Sequence, residues 1–264
     1  MTRNDFFPIN NQFKLPVNLF RSFTIINSTL QEATLTLARA LKTPKRYSRS
    51  PLSVAFLNMH NYNVVCDNEA ALTAFSEIDH LYADGVSLQL ARYILQLPRF
   101  ERLSGTDVIT NLLANHIPLH CKVFLLGGSP SSCASLHQNF SLIFPRAMLA
   151  GIHHGYFSNL ENKNVIETIN ASGAELLLVG MGAPTQELWL QSNKHKLKVS
   201  AAVCVGGLFH YWDRSLMRAP RFMQAIGLEW LYILIQQPHK WPNYSIGAWR
   251  FFARLLSLTF STRK

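Results

Sequence analysis

Five short runs rich in Val, Leu and Ala recur along this chain, at Ser53–Leu57, Lys122–Leu126, Ala147–Ile152, Glu175–Val179 and Ala201–Val205, with longer segments of helical periodicity between them. The runs are apolar at nearly every position, unlike a strand with one wet face, which alternates. A strand buried on both faces needs helices above and below it. The expected fold is therefore α/β, a largely parallel sheet with helices on both faces. Ligands of such sheets bind beyond the carboxyl ends of the strands. Most of the runs end in Gly or Asn, so candidate functional residues are sought there.

A chain of 264 residues accommodates one large domain, or a domain with an appendage. Its 48% hydrophobic content excludes a disordered chain. The 25 basic against 15 acidic residues give a formal charge of +10, which favours nucleic acid, anionic lipid or phosphorylated substrates without choosing among them. Cys66, Cys121, Cys133 and Cys204 lack zinc spacing and read as free thiols of a reducing compartment. Met1–Asp5 lacks the layout of a secretion signal, and no apolar run reaches the roughly 18 residues of a spanning helix. Membrane contact, if made, is expected to be peripheral, on a cytoplasmic face. The first fifteen residues are expected to be a loose arm. Ser28-Thr29-Leu30-Gln31 reads as a capping box before a helix carrying Leu30, Ala33, Leu37 and Leu41, with Pro44 beyond it and a polar, basic connection over Lys42–Ser50.

The composition changes near Ser215. Glu229 is the single acidic residue beyond it, while Arg218, Arg221, Lys240, Arg250, Arg254, Arg263 and Lys264 accumulate among Trp230, Tyr232, Trp241, Tyr244, Trp249, Phe251 and Phe252. Basic residues mixed with aromatics suit a helical, membrane-docking appendage. The alternative is a terminal helical pair that packs its aromatics on the core and leaves a solvated basic face. Residues 1–214 are assigned to a catalytic domain and 215–264 to the appendage.

Several strand-end motifs could carry chemistry. Asp84, in Tyr82-Ala83-Asp84-Gly85, is either a helix cap or a carboxylate held ready to take a proton. Downstream, Arg102 could pair with an anion, and Asp107 falls in the first turn of a helix opened by Glu101–Asp107. Gly127 and Gly128 turn a strand into a helix, where backbone amides favour an anion. Gly182-Ala183-Pro184-Thr185-Gln186-Glu187 repeats that design; Pro184 fits a first helical turn, and Gln186 and Glu187 either cap the helix or hold a sugar or base by hydrogen bonds. The adjacent His153 and His154 cannot readily share a metal ion. No Asp-x-Asp occurs among the six aspartates, so a reaction without a divalent ion, and without any other cofactor, is expected.

In this order the motifs resemble the WecG/TagA/CpsF family of bacterial glycosyltransferases (glycosyltransferase family 26). The matching pieces are Tyr82–Gly85, Arg102 with Gly105 and Asp107, Phe124–Gly128, Gly155-Tyr156-Phe157, Gly182–Glu187, Val205-Gly206-Gly207, Arg218-Ala219-Pro220 and Gly227–Tyr232, spread over roughly 53–244. The resemblance implies a Rossmann-like core with an appendage that guides the enzyme to the membrane and completes the site. It also implies inverting transfer from a UDP-sugar to a saccharide carried on a polyprenyl diphosphate, in the synthesis of bacterial cell-surface polysaccharide. By the same resemblance Asp84 is the general base, and Asn58, Gln186 and Glu187 correspond to substrate-binding positions. Arg102, Gly127, Gly128 and Arg218 are the further candidates for holding substrate, Arg218 through a diphosphate. The expected partners are the donor, the lipid-linked acceptor and an anionic membrane; homo-oligomerisation stays open, and no nucleic acid is expected.

Four positions depart from the family pattern. Phe56 stands where some members have Thr, Thr185 where Lys is usual, His210 in the place of an Asp, and Ile233 in that of an Arg. Two other functions stay open. A basic nucleic-acid-binding protein would use the tail but leave Asp84, Gln186 and the glycine turns without a task. A family member that has lost activity would bind but not transfer. The donor sugar, the acceptor sugar and the polymer are not legible in the sequence.

Overall fold

The computed structural model describes residues 11–18, 21–42 and 50–261. The chain opens with an antiparallel hairpin, β1 (Gln12–Pro16) and β2 (Ser22–Ile26), then helix α1 (Leu30–Lys42). The loose arm is thereby corrected: residues 12–16 alternate exposed and buried positions and pair with β2, while 1–10 lie outside the described residues. The capping box is displaced by one residue. Thr29 Oγ1 accepts from the Glu32 amide at 3.1 Å, and the Glu32 carboxylate accepts from the Thr29 amide at 2.8 Å. The helix begins at Leu30, which makes Glu32 its third residue, and a carboxylate there also faces the positive end of the helix dipole. Pro44 and the basic connection over 43–49 fall outside the described residues, as do Arg263 and Lys264.

The central body follows as β3 (Leu52–Leu57), α2 (Met59–Asp67), α3 (Glu69–Ser76), β4 (His80–Ala83), α4 (Val86–Ile94), α5 (Gly105–Asn111), β5 (Cys121–Gly127), α6 (Pro130–Ile143), β6 (Ala147–His153), α7 (Asn162–Ala171), β7 (Leu176–Gly180), α8 (Thr185–Asn193) and β8 (Ala201–Cys204). The six strands after the hairpin form one parallel sheet in the order β4-β3-β8-β7-β5-β6. Side-chain alternation divides each strand between two cores. Ala55, Leu57, Leu126, Val179 and Cys204 face the hairpin, α2, α3 and α8; Val54, Phe56, Leu125, Leu178 and Val203 face α1, α5 and α6. This is the doubly covered sheet that the uninterrupted apolar runs demand. Helix α4 stops at Ile94, short of Leu97, and the following loop turns through Gln96 at φ +52. Helix α5 starts at Gly105, whose missing Cβ leaves room for the Phe56 ring; a Cβ there would lie 2.7 Å from it. Phe56 is thus apolar packing where a hydroxyl would otherwise stand.

At the amino edge of the sheet, Lys194 Nζ donates to Ser53 Oγ and Asp79 Oδ2, both at 2.9 Å, tying the end of α8 to β3. After β8 come α9 (Phe209–Trp212), α10 (Arg221–Ala225), α11 (Glu229–Gln236) and the long α12 (Trp241–Ser261). Helix α12 lies against α2 and α4. Phe251 sits edge-on to Tyr62 at 5.1 Å, Asn63 Nδ2 donates to the Gly247 carbonyl at 2.7 Å, and Arg250 and Arg254 both pair with Asp67. Among the described residues no helix is long and apolar enough to cross a membrane.

Candidate functional site

The carboxyl ends of the strands bring most of the candidate residues to one edge. Leu57 and Ala83 are register partners, so Asn58 and Asp84 leave β3 and β4 side by side, and the Asp84 amide donates to the Leu57 carbonyl at 2.8 Å. Asn58 caps α2, its Oδ1 accepting from the Asn61 amide at 3.0 Å. Gly85, at φ +90, turns the chain into α4; a Cβ here would touch Asn58 at 3.9 Å. The Leu103 amide donates to the Ala83 carbonyl at 2.9 Å, which sets Arg102 beside Asp84. Asp84 keeps a partly exposed face, but the chain packed around its carboxyl pushes its pKa up to about 7. Burial is the main cause; Arg102 pulls the other way, and Glu229 and Asp107 add to the rise. A carboxyl in that range, beside an arginine, can accept a proton near neutral pH.

Residues 216–229 close over this corner. The Arg102 guanidinium donates to the Gln224 carbonyl at 2.9 Å. Gly227, at φ +79, presses on the start of α4, where a Cβ would overlap Val86 at 2.1 Å. Arg218 pairs with Asp107 and, at 3.4 Å, with Glu229. Burial opposes the Arg218 charge, but those two carboxylates more than offset it and its pKa is raised. In this structure the fork that was expected to meet a diphosphate is held by these two acids. Through its pair with Arg218, Asp107 ties α5 to the C-terminal segment. Two contributors were missed. Tyr211 and Glu229 both border the corner; burial and then the Glu229 charge push the Tyr211 hydroxyl up to about 12. Glu229 was noted as the single acid of the C-terminal segment and within a motif but given no role at the site, and Tyr211 has no signal beyond following the Gly206-Gly207 strand end.

The glycine turns are more self-contained than expected. Gly127, at φ +145, lies so near β7 that a Cβ would meet the Gly180 carbonyl at 2.3 Å. The Gly128 amide donates to that same carbonyl at 3.3 Å, and the Gly155 amide donates to the Gly128 carbonyl at 3.0 Å. Ser129 caps α6 by accepting from the Ser132 amide at 3.1 Å, and the Ser132 hydroxyl donates to Asp213. Burial works against the Asp213 charge, but the hydrogen bonds from Ser132 and Ser215 dominate and hold its carboxyl below the usual range. A buried carboxylate thus already stands at the turn for which an incoming anion was expected. His210 accompanies it, with Nδ1 3.0 Å from Ser215 Oγ.

Gln186 and Glu187 face the end of β8. Pro184 precedes the first residue of α8, in the cap position and after a cis bond, not inside the first turn. Gln186 Oε1 accepts from the Gly206 amide at 3.0 Å, and its Nε2 donates to Glu187 Oε1 at 2.7 Å. Glu187 is 0% exposed, and its Oε2 has no hydrogen-bond partner among the described residues. Burial pushes its pKa up to about 7, against the hydrogen bond from Gln186. Glu187 therefore braces Gln186 from the interior. His153 and His154 stand at the far end of the sheet, the His153 Nδ1 held 2.8 Å from the His154 carbonyl oxygen. In comparison with known families, the model of the "Glycosyl transferase WecG/TagA/CpsF family" matches residues 17–264.

Proposed function

The chain belongs to the WecG/TagA/CpsF family of glycosyl transferases, and from that premise we propose that it transfers a sugar from a UDP-sugar to a saccharide carried on a polyprenyl diphosphate, with inversion, in cell-surface polysaccharide synthesis. The observation that carries this reading is Asp84, set at a strand end beside Asn58 and Arg102, with a carboxyl that titrates near 7. Asp84 takes the proton from the acceptor hydroxyl as that oxygen attacks the anomeric carbon. The bond from that carbon to the donor diphosphate breaks on the opposite face, and UDP leaves with the electron pair. Inversion follows from the single displacement. Residues 215–264 are the appendage in this reading, completing the corner around Asp84 and docking the enzyme on an anionic membrane. Arg102 supplies positive charge beside the reacting centre, and the chain has no Asp-x-Asp to hold an ion on the donor, which favours transfer without a divalent metal.

The test is UDP release from a set of UDP-sugars, with a short-chain prenyl diphosphate saccharide as acceptor, and the anomeric configuration of the product read by NMR. Asp84→Asn is expected to lower turnover by roughly 10²–10⁴-fold without loss of fold. Chelator is expected to leave the rate unchanged. Wild-type-like turnover by Asp84→Asn removes the proposed base, a retained configuration removes the single displacement, and metal-restorable loss on chelation removes the metal-free mechanism. Salt-sensitive binding of duplex nucleic acid in place of any UDP release would favour the nucleic-acid alternative.

A further inference from the structure

Between α4 and residues 99–102 lies a cleft of about 590 Å³ whose lining includes Arg92, Arg99, Glu101 and Arg102, the last of which also neighbours Asp84. That lining sets three arginines against one glutamate. Unlike Arg218, Arg250 and Arg254, neither Arg92 nor Arg99 is paired with an acid among the described residues. Arg92 is on α4, and the backbone of the loop that carries Arg99 is held by neighbouring side chains. Asn27 grips it twice, donating to the Arg99 carbonyl at 3.0 Å and accepting from the Glu101 amide at 3.3 Å. Gln89 donates to the Phe100 carbonyl at 2.9 Å, and the Phe100 ring is buried against Phe13 with centroids 4.7 Å apart. The Arg92 guanidinium stands 4.4 Å from the centre of the Tyr93 ring. A backbone fixed in this way spares the loop the cost of ordering itself when an anion arrives, while the exposed Arg99 side chain keeps its freedom until then.

We propose that this cleft is the subsite for the diphosphate of the lipid-linked acceptor, with Arg92 and Arg99 as its anchors. The acceptor identity rests on the function proposed above; the anion site does not. Guanidinium forks match phosphate oxygens in pairs, and three arginines against one acid leave charge for a doubly negative group. Position selects the acceptor over the donor. Asp84 draws its proton from the acceptor hydroxyl, and Arg102 belongs both to the Asp84 corner and to the cleft. A saccharide with its hydroxyl at Asp84 therefore points its far end along Arg102 into the cleft. The lipid then has a way out, because α4, which carries Arg92, packs against α12 with its exposed Ile246 and Trp249.

Calorimetry with inorganic pyrophosphate, a short-chain prenyl diphosphate and UDP tests this on the full chain, comparing wild type with Arg92→Gln, Arg99→Gln and the double variant. Both side chains reach solvent, so thermal melts are expected to match wild type. Pyrophosphate and prenyl diphosphate binding should each weaken by about tenfold per arginine, discounted for solvent exposure, while UDP binding stays constant. In turnover the acceptor KM rises and the donor KM does not. Unchanged pyrophosphate affinity in the double variant overturns the site. A parallel loss of UDP assigns the cleft to the donor and overturns it equally. Loss of binding to anionic vesicles with soluble pyrophosphate unaffected makes it a headgroup contact instead. Failure to release UDP from any donor would fell the proposed function while leaving the pyrophosphate result to stand by itself.

Discussion

Glu187 and Asp84 are both carboxyls pushed up to about 7 by burial, and they differ in what surrounds them. Glu187, on α8, is sealed from solvent, with Cys204 of β8 as a titratable neighbour and with Gln186 and its own backbone amide as hydrogen-bond donors. Its pKa lies above the unfolded value. Between about pH 4.5 and 7 the unfolded chain gives up a proton that the folded chain keeps, so stability falls as pH rises through that window and levels off above it. Glu187→Gln keeps the shape of the neutral acid and removes the titration. It is expected to melt with wild type near pH 4.5 and above it at pH 8, by about 1–3 kcal/mol of folding free energy. Chemical denaturation at the two pH values measures this, and equal stability at both would mean that the carboxylate is solvated in place. Asp84 borders on solvent and on Arg102, where the same upward shift suits the proposed role of proton acceptor. The kcat/KM of the wild type is expected to climb with pH through about 7, where the carboxylate forms. By the same sign, Asp84→Asn is expected to be the more stable protein above that pH while being nearly inactive, the trade expected if a buried carboxyl is kept for the proposed proton transfer. A flat rate profile from pH 5.5 to 8.5 would detach the titration from the chemistry.

The C-terminal helix α12 carries two apolar stripes. Phe251, Leu255 and Leu258 are buried, the first two at 0% exposure in the core that also holds Tyr62 and Val65. Trp241, Ile246, Trp249, Leu256 and Phe260 are exposed and, at about 100° per residue, fall within an arc of roughly 140° on the opposite side. The helix is therefore a structural part of the body before it is anything else. Phe251→Ala is expected to cost about 3–5 kcal/mol, the range for a fully buried ring, and to lower the melting temperature of the whole protein in one transition. A separate early transition would show that α12 melts independently. Five of the six strands of the sheet were legible because each is a nearly unbroken apolar run, shifted in the structure by a residue at most. The hairpin was not, because β1 and β2 are short, half-exposed and separated from the repeating pattern. Nor was β4 named as a strand, since His80–Ala83 offers four residues with a histidine at one end. Membrane docking and core packing were weighed as rivals for the tail aromatics; at the level of one helix both apolar demands are present, divided between its two faces.

Across the whole molecule, the residues gathered at the Asp84 corner were legible as motifs, and their partners were not. Asp84, Arg102 and Asn58 each follow a strand or loop that the pattern marks, whereas the pairing of Arg218 with Asp107 and Glu229 spans contacts that local spacing cannot show. The same pairing revises the electrostatics of the appendage. Arg218, Arg250 and Arg254 meet acids of the protein itself, so the charge left to attract an anionic surface is smaller than the sequence suggested. Beside the exposed Arg221 and Arg250, much of what is exposed is apolar: Met217, Phe222, Ile226, Trp230 and Ile235 from the segment over the Asp84 corner, together with the outer stripe of α12. Exposed apolar surface concentrated in one region marks an interaction site, and aromatic side chains beside scattered cations suit the headgroup layer. If this face rests on a bilayer, attachment depends more on immersion of these side chains than on salt-sensitive attraction. Removing residues from Trp241 onward cannot test it, because Tyr62 would lose Phe251. The suitable variant is Ile246→Ser/Trp249→Ser/Phe260→Ser, which leaves the buried stripe intact. With each side chain contributing about 1–2 kcal/mol on partial burial, sedimentation with anionic vesicles is expected to weaken by about 100-fold or more. Raising the salt concentration should weaken the wild type much less. Turnover with a membrane-embedded acceptor should fall with the loss of sedimentation, and turnover with a water-soluble analogue should hold. A triple variant that still sediments as wild type would move the membrane contact off α12, and a wild type released fully by moderate salt would return it to the basic residues.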